Sequence, residues 1–155
     1  MEQEQEKKIN INFGIKEIST LKFSLNNVPG VADITKGDVQ FQIVPRSFIN
    51  YEYSIVGFEI AVNISFEKNG RNNICELITR SSFEVNNLQE FVPPEKKDNP
   101  DLPMNFMQTL LSISLSTTRG ILAAKTEGSI LSGICMPILN PTSFKPASPY
   151  MKVEG

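Results

Sequence analysis

The chain of 155 residues is long enough to bury the core of one domain, and its 40% of hydrophobic residues lies well above a disordered composition. Its 15 Lys and Arg nearly balance 17 Asp and Glu, so no basic surplus favours nucleic acid or anionic lipid. The chain has no His and only two cysteines, Cys75 and Cys135. The usual general base and a zinc ligand set are therefore absent, and we expect no enzyme, no metal and no cofactor.

The first eight residues, MEQEQEKK, are charged and lack an apolar centre. We interpret residues 1–8 as a disordered charged tail and not as a secretion signal. No apolar run approaches the roughly 20 residues that a membrane helix needs. With two separated cysteines, these features make the cytoplasm the expected location and exclude membrane insertion.

Apolar and polar residues alternate from Ile9 to Leu25, with one irregularity near Ser19 and Thr20. This period of two predicts half-buried strands. Residues 26–37 contain Pro and Gly and predict a long loop.

A further alternating run begins at Val39, and we expect Pro45 to close that strand. The clearest local pattern follows, a run of alternating residues from Phe58 to Phe66 that leads into Asn69-Gly70. This dipeptide favours a two-residue hairpin turn, because both positions tolerate positive φ. With that turn, Lys68 faces Arg71 and paired residue numbers sum to 139. The predicted pairs include Ile64 with Cys75, Val62 with Leu77, and the opposite charges Glu59 and Arg80.

Residues 86–103 are rich in Asn, Asp and Pro and predict a linker. A long helix follows, with Asp101 as the predicted N-cap near Pro103 and Gly128 as the stop. Its apolar stripe is wide, and much of the remaining surface is small. Such a helix can pack on its own sheet and on a neighbouring subunit, or it can be buried against the sheet alone. The small residues expected at an oligomer interface are Ser116, Gly120, Ala123 and Ala124.

The sequence thus predicts an α+β domain over 9–144, with an antiparallel sheet of about four strands followed by a long helix. Residues 145–155 form a Pro-rich tail in which no second helix of useful length fits. Several apolar residues fall outside the regular alternation and could line a groove for extended chain segments. These candidate client-binding residues are Val28, Val31, Leu88, Phe91 and Phe144.

The order of elements resembles the SecB family of protein-export chaperones over roughly residues 11–144. The resemblance is carried by FGIKEI at 13–18, the loop at 26–37, ICEL at 74–77, TRG at 118–120 and MPILNPTSF at 136–144. The chain departs from the family's pattern at Gly120, where familiar members have Glu, and in lacking the second, C-terminal helix that flanks the client groove.

The resemblance implies an ATP-independent chaperone for unfolded polypeptides, assembled as a homotetramer (a dimer of dimers). It also implies docking to the SecA translocation motor through Ile74 and Glu76 on the outer sheet face. Thr20 and Ser24 stand where familiar members have first-strand acids, which weakens that docking. Relatives that protect antitoxins suggest a chaperone dedicated to one partner as an alternative. A plain oligomeric scaffold is the alternative from another class.

Overall fold

The computed structural model describes residues 10–26, 34–67, 70–143 and the backbone of 151–152. The predicted N-terminal tail, residues 1–8, lies outside this part of the chain. The strands are β1 (Phe13–Leu25), β2 (Val39–Asn50), β3 (Ile55–Glu67), β4 (Arg71–Val85) and β5 (Met151–Lys152), and the α-helices are α1 (Leu88–Phe91) and α2 (Met104–Thr126). Short 3-10 turns lie at Lys36–Asp38, Pro94–Lys96 and Pro141–Ser143.

The strands form one sheet in the order β1-β4-β3-β2-β5. The first four strands pair antiparallel, which confirms the predicted α+β class with four antiparallel strands and a long helix. The fifth, β5, was not expected from the sequence. It pairs parallel to β2 through Phe48 and Ile49 only.

The β3–β4 hairpin has the predicted register along most of its length, including Ile64 opposite Cys75 and Glu59 opposite Arg80. The register shifts by one residue toward the turn, where Glu67 opposes Arg71. The predicted pairing of Lys68 with Arg71 is therefore wrong. Gly70 has a φ of 112°, a backbone conformation that suits glycine. A bulge at Ile74 in β4 accounts for the shift.

Two other strand boundaries differ from the sequence-based expectation. β2 does not end at Pro45 but continues to Asn50. A proline is tolerated there because, over this stretch, β2 has a described neighbour on one side only. β1 is one continuous strand whose predicted irregularity near Ser19 and Thr20 corresponds to the register shift after Thr20; a second shift, after Ile15, was not predicted.

Helix α2 packs on one face of the sheet, which we call the inner face; the opposite face is the outer face. The core between them contains alternate residues of β3 and β4 and the buried stripe of α2. The hydroxyls of Thr79 on β4 and Thr118 on α2 share a buried hydrogen bond of 2.8 Å between their Oγ1 atoms. This bond satisfies both polar groups inside the core and fixes the helix on the sheet.

Helix α2 ends just before Gly128, as predicted, but the predicted N-cap is wrong. Pro103, and not Asp101, occupies the N-cap position, with its carbonyl accepting from the Met107 amide at 3.1 Å. Gly128, with a φ of 75°, follows the helix as predicted. Within the described residues, no helix is both long and apolar enough to cross a membrane.

The described chain beyond α2 contains no further α-helix. Arg119 on α2 forms hydrogen bonds with the non-helical segment that follows. Its Nε donates to the Met136 carbonyl at 3.1 Å and its Nη2 to the Pro137 carbonyl at 3.3 Å. Arg119 therefore fixes the path of the chain along the helix.

Candidate polypeptide-binding surface

Three large apolar side chains are exposed along β1: Ile15 (59%), Ile18 (40%) and Leu21 (47%). We call them the β1 strip. Ile15 and Ile18 oppose the buried residues Phe83 and Ser81, so they point to the inner face. Leu21 is the extra residue of the bulge between Thr20 and Lys22, where alternation does not assign a face. Ile15 and Ile18 are therefore inner-face surface that α2 leaves open, and Leu21 extends the exposed apolar strip along β1.

Two contacts mark the ends of the β1 strip along the helix. The rings of Phe13 and Phe106 meet edge to face, with centroids 5.4 Å apart. At the other end, the Lys125 ammonium lies 5.2 Å from the centre of the Phe23 ring. The strip lies between these contacts. Ile113, seven residues after Phe106, and Ile121, four before Lys125, share that side of α2 by helical spacing, and both are half-buried. From this placement we infer a shallow apolar trough between the strip and α2.

The trough adjoins an open strand edge. Within the described part of the chain, β1 pairs with β4 alone. An edge strand presents unpaired amide and carbonyl groups to an incoming extended chain. This combination of exposed apolar side chains and backbone hydrogen-bonding groups suits an extended polypeptide.

The β1 strip was not among the predicted site residues, because alternation alone does not distinguish an edge strand from a central one. Of the predicted client-binding residues, Val28, Val31 and Phe144 lie outside the described residues. Leu88 is a core residue with 1% exposure, so a client cannot reach it in this structure. Phe91 is half-buried and packs against the core.

The bulge in β4 leaves only one member of the predicted motor-docking pair, Ile74 and Glu76, accessible on the outer face. Ile74 is the extra residue, and with Cys75 it belongs to the buried core, so its side chain is not on an exposed outer surface. A bulge turns neighbouring side chains toward the same face, which is the physical reason for this correction. Glu76 is partly exposed on the outer face, and its carboxylate lies 2.9 Å from the Lys22 ammonium. This ion pair partly neutralises the charge that a basic partner would meet.

The outer face also carries a buried aromatic group. Phe48 is 2% exposed although it is not part of the helix-covered core. Its ring lies against Gly57, opposite it on β3, and under the Arg80 guanidinium, whose carbon is 5.5 Å from the ring centre. Glu59 pairs with Arg80 and holds it there.

The predicted oligomer-interface residues all lie on the solvent side of α2. Ser116, Gly120, Ala123 and Ala124 are exposed in the isolated chain. Among the described residues, nothing outside the local helix backbone lies within 4 Å of a Cβ built on Gly120. Another backbone could approach this face closely.

No protein-family model matches the sequence, and no curated protein matches it either. Among solved structures, the chain is similar to the SecB-like chaperone Rv1957 of Mycobacterium tuberculosis, in complex with a ChAD peptide from the Rv1956 HigA1 antitoxin. The similarity has a TM-score of 0.53 at 12% identity, over 82% of this chain and 90% of the other. The chain therefore has a SecB-like fold.

A second solved structure, a protein of unknown function from Streptococcus agalactiae, matches at a TM-score of 0.41 and 7% identity. The match covers 84% of this chain and 100% of the other. At this distance, the second match carries no argument about fold or function.

Proposed function

We propose that the protein is an ATP-independent chaperone that binds extended segments of other polypeptides, and that it serves a dedicated partner such as an antitoxin. The SecB-like fold supports the chaperone class. The antitoxin peptide bound to the similar M. tuberculosis protein favours the dedicated role over general preprotein export. The proposal involves no catalytic step.

The observation that carries the proposal is the β1 strip on an open strand edge. Burying a Leu or Ile side chain fully is worth about 1.5–3 kcal/mol, and these three residues are about half exposed. Covering them would contribute roughly 2–4 kcal/mol before the cost of ordering the partner. Backbone hydrogen bonds between β1 and the partner would also fix the orientation of the bound chain.

General export through the SecA motor is the second candidate, and the exposed Glu76 is the observation in its favour. The pairing of Glu76 with Lys22, and Thr20 and Ser24 at the two positions where familiar members have acids, reduce the negative charge available for docking. Glu17 is the acidic residue that remains on β1, and the burial of Ile74 removes an apolar contact. A motor contact would therefore be weak.

We also propose that the protein assembles as a homotetramer, a dimer of dimers, through the solvent side of α2. The small exposed residues there support close helix packing. If this face and the β1 strip served assembly alone, the protein would be a scaffold and not a chaperone.

The test is capture of a permanently unfolded protein, reduced and carboxymethylated α-lactalbumin, and of antitoxin-derived peptides. Ile18→Asp in the β1 strip should weaken capture by about tenfold or more, because it places a charge in the apolar trough. Tyr53→Asp is the matched control, since Tyr53 is 63% exposed on the β2–β3 turn. Light scattering on both variants separates the alternatives. If Ile18→Asp loses capture but keeps the wild-type size, the chaperone is supported. If the wild type captures no unfolded chain and Ile18→Asp loses assembly, the scaffold is supported.

A further inference from the structure

The edge of β2 is only partly occupied. β2 pairs with β3 along all twelve of its residues. On its other side, within the described residues, it pairs only with Met151 and Lys152 of β5. The remaining stretch, residues 39–47, has no described strand beside it. A long strand edge of this kind is a template for the addition of another chain.

β5, the strand that pairs with this edge, is similar in length and pairing to a short bound peptide. β5 follows Pro149 and lies in the sequence Tyr-Met-Lys-Val at 150–153, in which Lys152 is flanked by apolar residues. It pairs parallel to β2, whereas the other strand pairs of the sheet are antiparallel. Seven residues separate it from the last described residue before it, Ser143. β5 is thus a tethered segment added to the edge of a sheet that is already complete.

The receiving position on β2 is rigid. Phe48, whose backbone pairs with Met151, is fixed on the outer face between Gly57 and Arg80, and Glu59 holds Arg80. The absence of a side chain at Gly57 lets the ring lie directly on the β3 backbone. A strand-pairing site whose side chains are already fixed loses little entropy when a strand adds to it.

A ladder of two residue pairs is among the least stable parts of a sheet and opens locally without unfolding the domain. Because β5 belongs to the same chain, its return to the edge does not depend on the protein concentration, and it re-forms readily. It can therefore exchange with a competing chain.

We propose that the β2 edge at Phe48 and Ile49 is a second polypeptide-binding site, and that β5 occupies it as a built-in competitor. The partner is an extended polypeptide segment with apolar residues on both sides of a polar one, pairing parallel to β2. This inference rests on the proposed function for its biological meaning, but the strand competition can be tested without it.

The experiment uses the full chain with Met151→Pro and Lys152→Pro together, which removes both backbone N–H groups of β5, including the one that faces β2. The matched control is Met151→Ala with Lys152→Ala, which keeps both donors. The probe is a fluorescein-labelled peptide of residues 147–155, ASPYMKVEG, added in trans and followed by anisotropy. The proline variant should bind it about fivefold more tightly than the alanine variant, since the tethered competitor is removed. Equal affinities, or no binding to the proline variant, would overturn the proposal.

Hydrogen exchange of the wild-type chain gives an independent measurement. Of the two consecutive amides of Phe48 and Ile49, only one can face β5, because N–H groups alternate in direction along a strand. That amide should exchange faster than those of the central β3–β4 ladder by at least about a hundredfold, because β5 opens locally. Exchange of this amide only through global unfolding would contradict the proposal. Capture of unfolded α-lactalbumin separates the strand competition from the proposed chaperone function. If the peptide binds but no variant captures α-lactalbumin, the chaperone function is rejected and the strand competition stands.

Discussion

At the scale of single residues, the outer face depends on one glycine. A Cβ on Gly57 would lie 2.1 Å from the Ser81 carbonyl oxygen and 2.7 Å from the Phe48 ring. The first of these contacts is with backbone, which cannot rotate away. Gly57 is therefore required for close packing within the sheet, although a glycine in a strand otherwise weakens it.

Gly57→Ala should lower the free energy of unfolding by about 2–3 kcal/mol, because the strand must shift to admit the methyl group. Urea denaturation followed by circular dichroism measures this change. Gly14→Ala on β1 is the control: no atom lies within 4 Å of a Cβ there, so its effect should stay within about 0.5 kcal/mol. Equal stabilities of the two variants would show that the β3 backbone adapts freely.

The buried thiol of Cys75 gives a pH-dependent prediction. Burial, with a smaller contribution from the neighbouring Glu76 carboxylate, raises the pKa of Cys75 from 9.0 to about 11. Below pH 9 the thiol is protonated in both folded and unfolded chains. Between pH 9 and 11 only the unfolded chain releases the proton, so this contribution to stability is lost as the pH rises.

Over that range, the wild type should lose about 2–3 kcal/mol more unfolding free energy than Cys75→Ala, which has no thiol to titrate. Urea titrations at pH 8, 9, 10 and 11 measure the difference. Cys135→Ala, which removes the exposed cysteine, should follow the wild type. Parallel curves for wild type and Cys75→Ala would contradict the assigned burial of the thiol.

At the scale of elements, local patterns predicted most of the fold. Beyond the bulge, the β3–β4 register followed from side-chain pairs that matched on both faces, and the C-terminal end of α2 followed from Gly128. The bulge at Ile74, the passage of β2 through Pro45 and the exposure of the β1 strip depend on which strands are neighbours. Neighbour order is a tertiary property that residue alternation does not encode.

The solvent side of α2 belongs to this scale too. Ala123→Trp should break the proposed assembly, because a bulky ring cannot fit where two small-residue faces meet. Light scattering at micromolar concentration should give a tetramer or dimer for the wild type and a smaller species for the variant. Lys97→Trp, on an exposed turn remote in sequence from this face, is the control and should keep the wild-type size. A wild type that is monomeric at that concentration would refute the interface.

At the scale of the whole molecule, the formal charge of −2 leaves little long-range field to steer a partner. Three exposed large apolar side chains, those of the β1 strip, lie on one strand, while the Glu76 carboxylate is paired with Lys22. Partner binding should then depend on burial of surface more than on attraction between opposite charges.

Capture of unfolded α-lactalbumin should accordingly change by less than about threefold between 50 and 500 mM NaCl, because salt screens exposed charges but does not weaken apolar burial. Any SecA binding should behave differently: it should be weak, should fall with salt, and should be lost in Glu76→Lys. Anisotropy titrations at the two salt concentrations measure both partners on one protein sample. If client affinity falls steeply with salt, clients bind to the charged outer face and not to the β1 strip. If SecA binds tightly and Glu76→Lys has no effect on its affinity, Glu76 is not part of the docking surface.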